Sequence, residues 1–360
     1  MSKITIIGAG KTGRGFIGRL VAESDTEFSF VDKDKALVDK LNKAPFQVNF
    51  FGNVREPVTV SGYEAYTWGD ADFSDTELIF VSVCGTNLQD VGEKLRDRLV
   101  PDKKYCIITC ENYPDPAGRL KEVIGMDNVS VSEATVFCTT IDADGIDISS
   151  ENYPYLQCNA DLLGGYVPTV DSVRPVAEFG NFLTRKLFTY NAASCIIAYL
   201  GWLAGYTDYA EAANDEAILS LLDKNYEITN RVLCREFGYD KQDQEEFALL
   251  SRNKFTDRTI ADTVARNARE PQRKLGRTER VIGPMLVMDK YGEDTSVLEK
   301  TVAAMLLYDN DGEEAWRKIK SENTPADLLE SICGLPKGSA LSDRILSIYK
   351  KLSLTKGNSI

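Results

Sequence analysis

The chain has 360 residues, more than one ordinary hydrophobic core accommodates, so two domains are expected. Its composition is that of a soluble globular protein. A net charge of −13 argues against a nucleic-acid or anionic-membrane partner, since either needs a dominant basic surface. There is no histidine, which removes the usual catalytic-zinc ligand, the usual general base and the Ser-His and Cys-His hydrolases together, and no metal site is expected. Eight cysteines occur, none as C-x-x-C and most in apolar stretches, a pattern of reduced core thiols. No run approaches the roughly 18 apolar residues of a membrane span. The N-terminus enters its first strand without a signal peptide, so a cytoplasmic location is expected.

In chain order, Met1 to Asp32 reads as strand, turn, helix and strand with a nucleotide built into the turn. Lys3 to Gly8 is a short apolar run of the kind found in buried parallel strands. The turn Gly8-Ala9-Gly10-Lys11-Thr12-Gly13 follows at once. Its first glycine allows the tight turn, its second lets the backbone approach a pyrophosphate, and its third lets the helix pack on the strand. The helix N-terminus then faces the phosphates. A second strand, Glu27 to Val31, ends in Asp32, 19 residues past Gly13, where a carboxylate hydrogen-bonds the adenosine ribose hydroxyls. That carboxylate would repel a 2′-phosphate, which favours NAD over NADP.

A helix is expected over Lys35 to Asn42, with strands at Phe46 to Phe51 and Pro57 to Val60. Thr76 to Val83 reads as another parallel strand ending at Cys84-Gly85, a strand C-terminal end of the kind where ligands bind in an open sheet. Asn87 to Leu99 is the returning helix. Tyr105 to Thr109 is a core strand, with Cys110-Glu111-Asn112 at its end presenting polar groups to the nicotinamide, or forming only an Asn-satisfied turn. Val129 to Cys138 is a further strand, and Ile146 to Asp161 is β-rich.

Helical periods begin at Phe182 and persist almost to the end, which places the boundary near Gly180: residues 1–180 form a dinucleotide-binding domain and 181–360 a substrate and catalytic domain. The expected fold is α/β, a Rossmann-type domain followed by a mostly helical one. Phe188 to Ala204, about 17 residues with Asn191 inside, suggests a buried helix rather than a membrane span. Glu211 to Glu236 and Ser296 to Tyr308 read as amphipathic helices, the second with Ser296 as N-cap. Pro325 to Ile332 is capped by Thr324, and Ser342 to Lys351 is the last helix before a polar tail. Arg266, Arg269, Arg273, Lys274, Arg277 and Arg280 put six basic side chains in fifteen residues. At roughly 100° per residue, five of them would share one helix face, although Pro271 and Gly276 oppose an unbroken helix. The cluster reads either as a phosphate or carboxylate site, with Arg273 and Lys274 foremost, or as an ion-pair network with Glu270 and Glu279.

The run Gly8-Ala9-Gly10-Lys11-Thr12-Gly13-Arg14-Gly15-Phe16-Ile17-Gly18 resembles the opening of the polyol-specific long-chain (mannitol) dehydrogenases. So do Cys110-Glu111-Asn112 (C-E-N), Arg185-Lys186-Leu187-Phe188-Thr189-Tyr190-Asn191 (R-K-L-F-x-x-N) and Arg269-Glu270-Pro271-Gln272-Arg273-Lys274-Leu275 (R-x-P-x-R-K-L), followed by Glu279, Arg280 and Pro284. The motifs span nearly the whole chain in the family's order. The resemblance implies a metal-independent hydride transfer with NAD, Lys186 as base, and Asn112 and Asn191 as the two amides that bind the alcohol. Lysine chemistry admits that role only if burial or a neighbouring positive charge lowers a pKa near 10.4. Lys186 precedes an apolar stretch, and Arg185 is its sequence neighbour.

Two departures stand out. Where the family continues to a histidine this chain has Ser194, which shares a helical face with Asn191 and can still hydrogen-bond a substrate oxygen. Where the family has V-D-R after its fifth core strand, this chain has Thr135-Val136-Phe137. The expected substrate is a sugar alcohol, ketose or sugar phosphate, with Ser194, Arg269, Arg273, Lys274 and Arg280 as its ligands; the oligomeric state is left open. The rival readings are a reductase of keto-uronates, whose carboxylate uses the same arginines, and a non-catalytic NAD(H)-binding redox sensor.

Overall fold

A computed structural model describes residues 3–111 and 113–354. The chain divides into two compact units, Met1–Phe182 and Leu183–Ile360.

In the first unit the described strands are β1 (Lys3–Ile7), β2 (Phe28–Val31), β3 (Phe46–Phe50), β4 (Val58–Val60), β5 (Glu64–Tyr66), β6 (Thr76–Val81), β7 (Tyr105–Thr109), β8 (Val129–Thr135), β9 (Thr140–Asp142), β10 (Ile148–Ser150), β11 (Leu156–Asn159) and β12 (Val173–Val176). Eight of them form one sheet in the order β12-β11-β8-β7-β6-β1-β2-β5, and β4-β3-β10-β9 form a second. The large sheet is parallel except where β8 meets β11. Apart from the exposed Glu77 on β6, its central strands are buried, which is why they read as largely apolar runs. Helices Leu88–Arg96 and Pro116–Ile124 cover one face through Leu95, Leu120 and Ile124, against Ile79, Val81 and Ile107. The chain leaves β1 for β2 on one side and returns to β6 on the other, so the carboxyl ends of β1, β2 and β6 flank a topological switch point.

The helix after the glycine turn departs from expectation. Gly13–Gly18 is a π-helix, preceded by α-helical Lys11 and Thr12 and followed by α-helical Arg19–Ala22. Gly15 lies so close to the small sheet that a Cβ there would sit 2.3 Å from Ile148, and one on Gly18 would sit 2.8 Å from the Phe30 ring. Arg19, fully buried, donates to Glu23 at 2.8 Å and to the Tyr153 carbonyl at 2.6 Å, tying this helix to the chain beyond β10.

Other boundaries moved as well. β5 is short and polar, and the Pro116–Ile124 helix was not expected from the sequence; Asp115 caps it from a left-handed backbone at φ 48. β6 stops at Val81 and β8 at Thr135, leaving Val136 to Cys138 outside the strand.

The second unit is helical throughout. The expected helix from Glu211 to Glu236 is broken at Asn214 into Tyr209–Ala213 and Glu216–Phe237, because Asp215 accepts from Ala217 and Ile218 and starts a new helix. Ser296 is the first helical residue rather than the cap. The cap position is Thr295, and Asp294 accepts the Ser296 amide instead. Thr324 does cap Pro325–Ser331, in a capping box with Asp327. Lys241–Thr256, Ile282–Lys290 and Glu314–Glu322 are additional helices, and the last, Ala340–Leu354, is longer than expected. The tail beyond 354 lies outside the described residues. Phe179–Ala204 is one continuous helical stretch, long and apolar enough to cross a membrane, but mostly buried inside the protein. The eight cysteines are free, and Cys84 is exposed rather than a core thiol.

Trp316 is fully buried in the core of this unit. Trp316→Ala should therefore cost about 3–5 kcal/mol of stability. Urea unfolding followed by far-ultraviolet circular dichroism measures it, and a cost under about 1 kcal/mol would show that this core collapses around the gap.

Candidate active site

In the first unit each glycine of the turn has a distinct geometric reason. Gly8 adopts φ +93, and a Cβ there would meet the Ser82 carbonyl at 2.2 Å. A Cβ on Gly13 would meet the Gly8 carbonyl at 1.9 Å, so the turn closes on itself only with glycine at both ends. Around Gly10 nothing lies within 4 Å of a Cβ position, which leaves backbone open to a ligand. Ala9 is fully buried and its amide donates to Asp32 Oδ2 at 2.7 Å. Asp32 Oδ1 accepts from the Asp34 amide at 2.9 Å, so the carboxylate is fixed between the two strand ends. Lys11 is exposed, 3.8 Å from Asp142, and Thr12 lies 3.5 Å from the Thr140 hydroxyl on β9.

A cavity of about 230 Å³ opens over this frame, lined among others by Gly8, Gly10, Asp32, Trp68, Val83 and Cys84. Apolar walls with a fixed carboxylate at one edge, beside an open glycine backbone, fit an adenosine and its pyrophosphate. Ser82, Asn87, Asp90 and Lys33 also line it, and of these and Trp68 and Val83 none carries a motif in the sequence. Ser82 and Val83 carry a position signal, directly preceding the Cys84-Gly85 already singled out. Trp68 carries none, because only the placement of β5 brings it there.

Cys84 Sγ accepts from the Thr86 hydroxyl at 3.4 Å, which lowers its thiol pKa. Gly85 is buried, and a Cβ on it would lie 2.3 Å from the Tyr113 ring, so its place in the structure is one of packing. Asn112 lies outside the described residues. The Thr135-Val136-Phe137 segment ends in an apolar wall, with Phe137 stacked on Tyr153 at 5.2 Å and edge-on to Phe182 at 6.1 Å.

In the second unit Lys186 is the last residue of helix Phe179–Lys186, followed by a π-turn, Leu187–Asn191, and helix Ala192–Ala204. Its pKa falls from 10.5 to about 7, through burial first, then the positive charges of Lys254 and Arg280. Arg185 is not among the causes. Its guanidinium turns to Asp243 at 2.8 Å and lies over the Tyr239 and Phe247 rings, so its charge is neutralised away from Lys186. The i→i+5 pattern of the turn sets Asn191 over Lys186, and Ser194 follows three residues on. Ser194 Oγ donates to Asn267 Oδ1 at 3.4 Å.

The basic cluster is not one helix face. Val264–Asn267 and Pro271–Lys274 are separate short helices, and Glu270 between them takes φ 57 before Pro271. Arg266 pairs with Asp262 at 2.7 Å, Arg273 with Glu270 at 2.8 Å, and Arg280 with Glu279 at 3.0 Å. Arg277 donates to the Gly334 carbonyl. Lys274 is buried, its Nζ donating to the Asn267 carbonyl at 2.6 Å, and burial lowers its pKa. Arg269 is exposed. The structure therefore gathers Lys186, Asn191 and Ser194 on one helical face, with Arg280 and the unforeseen Lys254 close enough to be felt by Lys186.

Fold and site together define a dinucleotide-binding Rossmann domain followed by a helical domain. Residues 178–349 match the mannitol dehydrogenase C-terminal domain, and residues 4–148 match ketopantoate reductase PanE/ApbA. The chain is 27% identical over 385 residues to a mannitol-1-phosphate 5-dehydrogenase of Brevibacillus brevis, with 98% of each covered. Among solved structures it is similar to a D-sorbitol dehydrogenase in substrate-free form, at 13% identity and a TM-score of 0.76 over 98% of this chain and 93% of that one. It is also similar to Pseudomonas fluorescens mannitol 2-dehydrogenase in a ternary complex with NAD and D-mannitol, at 13% identity and a TM-score of 0.65 over 98% and 91%. The second unit thus matches the C-terminal domain of the mannitol dehydrogenases, and the chain is similar over nearly its whole length to a polyol-phosphate dehydrogenase.

Asp32 should set nucleotide choice. Asp32→Ala is expected to weaken NADH binding roughly ten-fold to a hundred-fold, the worth of hydrogen bonds to a charged group, and to narrow the preference over NADPH. Fluorescence titration with both nucleotides measures it; unchanged discrimination would remove Asp32 from the ribose site.

Proposed function

We propose that the protein is an NAD-dependent polyol dehydrogenase that interconverts a secondary alcohol of a polyol phosphate and the corresponding ketose, without a metal ion and with Lys186 as general base. The observation that carries this reading is the half-buried Lys186 with a pKa of about 7, on the same helical face as Asn191. An amine so poised is neutral for much of the time at physiological pH and takes the alcohol proton without the help of a metal-bound water. NAD, when bound, supplies the carbon that accepts the hydride.

Gly8, Gly10 and Gly13 would hold its pyrophosphate, with Lys11 and Thr12 alongside, and Asp32 its ribose. Asn191 donates to the alcohol oxygen as it gains negative charge, with Asn112 as the second amide. Ser194 has its proton engaged by Asn267, so it offers a lone pair to a further substrate hydroxyl. For the phosphate, Lys274 and Arg280 are the central cations, with Arg273 and Arg269 at the periphery. The relative named for mannitol 1-phosphate supports a phosphorylated substrate, while Val136-Phe137, in place of the acid and arginine of the family pattern, supports a sugar other than mannitol.

The pH dependence has a definite sign. Alcohol oxidation needs neutral Lys186, so kcat/KM should rise through about pH 7 and level off, while ketose reduction, which needs the ammonium, should fall through the same range. Lys186→Ala should lower turnover by roughly 10² to 10⁴ and leave NADH affinity unchanged; retained turnover or lost NADH binding would refute the assignment. NADH oxidation with fructose 6-phosphate, free fructose, tagaturonate and fructuronate tests the substrate class. Turnover on the phosphorylated ketose alone is expected. Turnover on a uronate would reassign the cations to a carboxylate, and silence with tight NADH binding would favour a sensor.

A further inference from the structure

The spacing between Lys186 and Asn191 is unfavourable in an α-helix. At 3.6 residues per turn, residues five apart lie about 140° from one another around the axis. The π-turn Leu187–Asn191 reduces that offset to that of an i,i+4 pair, with the Ala192 amide donating to the Leu187 carbonyl five residues back. Such a turn gives up regular i→i−4 bonds, so something outside it must hold it open.

Three of its residues are gripped from other helices. A Cβ on Gly283 would lie 2.6 Å from the Phe188 ring, so the ring rests directly on the backbone of helix Ile282–Lys290. Thr189 Oγ1 accepts from Gln244 Nε2 at 3.3 Å, and Tyr190 packs edge-on to Phe247 at 5.0 Å. Gln244 is fully buried, and its amide is spent entirely on this region. Oε1 accepts from Arg185 Nε at 2.7 Å, while Nε2 also donates to Asn230 Oδ1 at 2.9 Å. Asp243 engages the rest of the Arg185 guanidinium, through its carbonyl and its carboxylate, each at 2.8 Å. One side chain thus links the residue before Lys186 to a residue inside the turn that ends at Asn191.

We infer that the wide turn Leu187–Asn191 is the device that sets Asn191 beside Lys186, and that Gln244 and Gly283 are positioning residues that keep it wide. The inference rests on the assignment of Lys186 as base and Asn191 as amide donor. Neither Gln244 nor Gly283 touches substrate in this account. Each acts by fixing the register between the two residues that do.

The test is a double-mutant cycle on the full chain, with Thr189→Val, Gln244→Leu, Gly283→Ala and Asn191→Ala, each checked for thermal unfolding and NADH affinity. Thr189→Val keeps the shape of the turn and removes only the acceptor for Gln244, so it serves where the larger changes fail to fold. Gln244→Leu and Gly283→Ala should lower kcat at least about ten-fold, within the roughly 10² to 10³ that a lost oxyanion donor costs, with KM and NADH affinity little changed. The apparent pKa near 7 in the kcat profile should move toward that of an ordinary lysine. The loss should not add to that of Asn191→Ala, because both remove the same interaction. Full kcat with an unmoved pH profile in these variants, or losses that add to Asn191→Ala, would overturn the inference. Lys186→Ala with undiminished turnover would instead refute the catalytic assignment beneath it, whatever the cycle shows.

Discussion

A primary amine takes a proton from an alcohol near neutral pH only when folding makes its charged form unfavourable. The surroundings of Lys186 in the second unit meet that condition, as the base we propose requires. Burial supplies the largest part, and Lys254 and Arg280 add like charge. The nearest cation in sequence, Arg185, is removed from the balance by Asp243 and two aromatic rings. The same contacts that neutralise Arg185 anchor the helix just before Lys186, so electrostatics and positioning share one set of atoms. The wide turn that follows would be a defect in an isolated helix, and its Phe188, Thr189 and Tyr190 side chains are contacted by neighbouring helices.

The first unit solves a different problem, exposing backbone without leaving it unsatisfied. Glycine at positions 8 and 13 lets the turn close with carbonyl contacts that no side chain would survive, and Gly10 remains open. Asp32 is fixed by the Ala9 and Asp34 amides before any ligand arrives. A carboxylate already oriented in this way would lose little entropy on binding the ribose we propose for it, which is the usual advantage of a preorganised site. The π-helix beyond the turn and the buried Arg19 brace the same segment against the smaller sheet.

The charge of the chain is handled locally. In this strongly acidic protein most of the arginine cluster is paired with carboxylates or a backbone carbonyl. Pairing of that kind at the surface contributes little stability, generally below about 1 kcal/mol, but it orients guanidinium groups. Lys274 differs from the rest because it is buried and donates to the Asn267 carbonyl, with burial outweighing the opposite charge of Glu270 in lowering its pKa.

The sequence by itself determined the parallel sheet, the glycine turn with its acid, the change to helices near residue 180 and the family motifs around Lys186 and Arg273. These are local signals, written in periodicity, glycine spacing and short runs that survive translation along the chain. Tertiary structure alone decided the rest. Asn214 breaks a helix that periodicity read as continuous, because Asp215 captures two amides beyond it. Trp68 reaches the cavity over the glycine turn through the placement of an edge strand. Lys254, Gln244 and Gly283 converge on the Lys186 turn from helices far along the chain. A pKa depends on distance and burial, and a π-turn on what grips it, and neither quantity is carried by the order of residues alone.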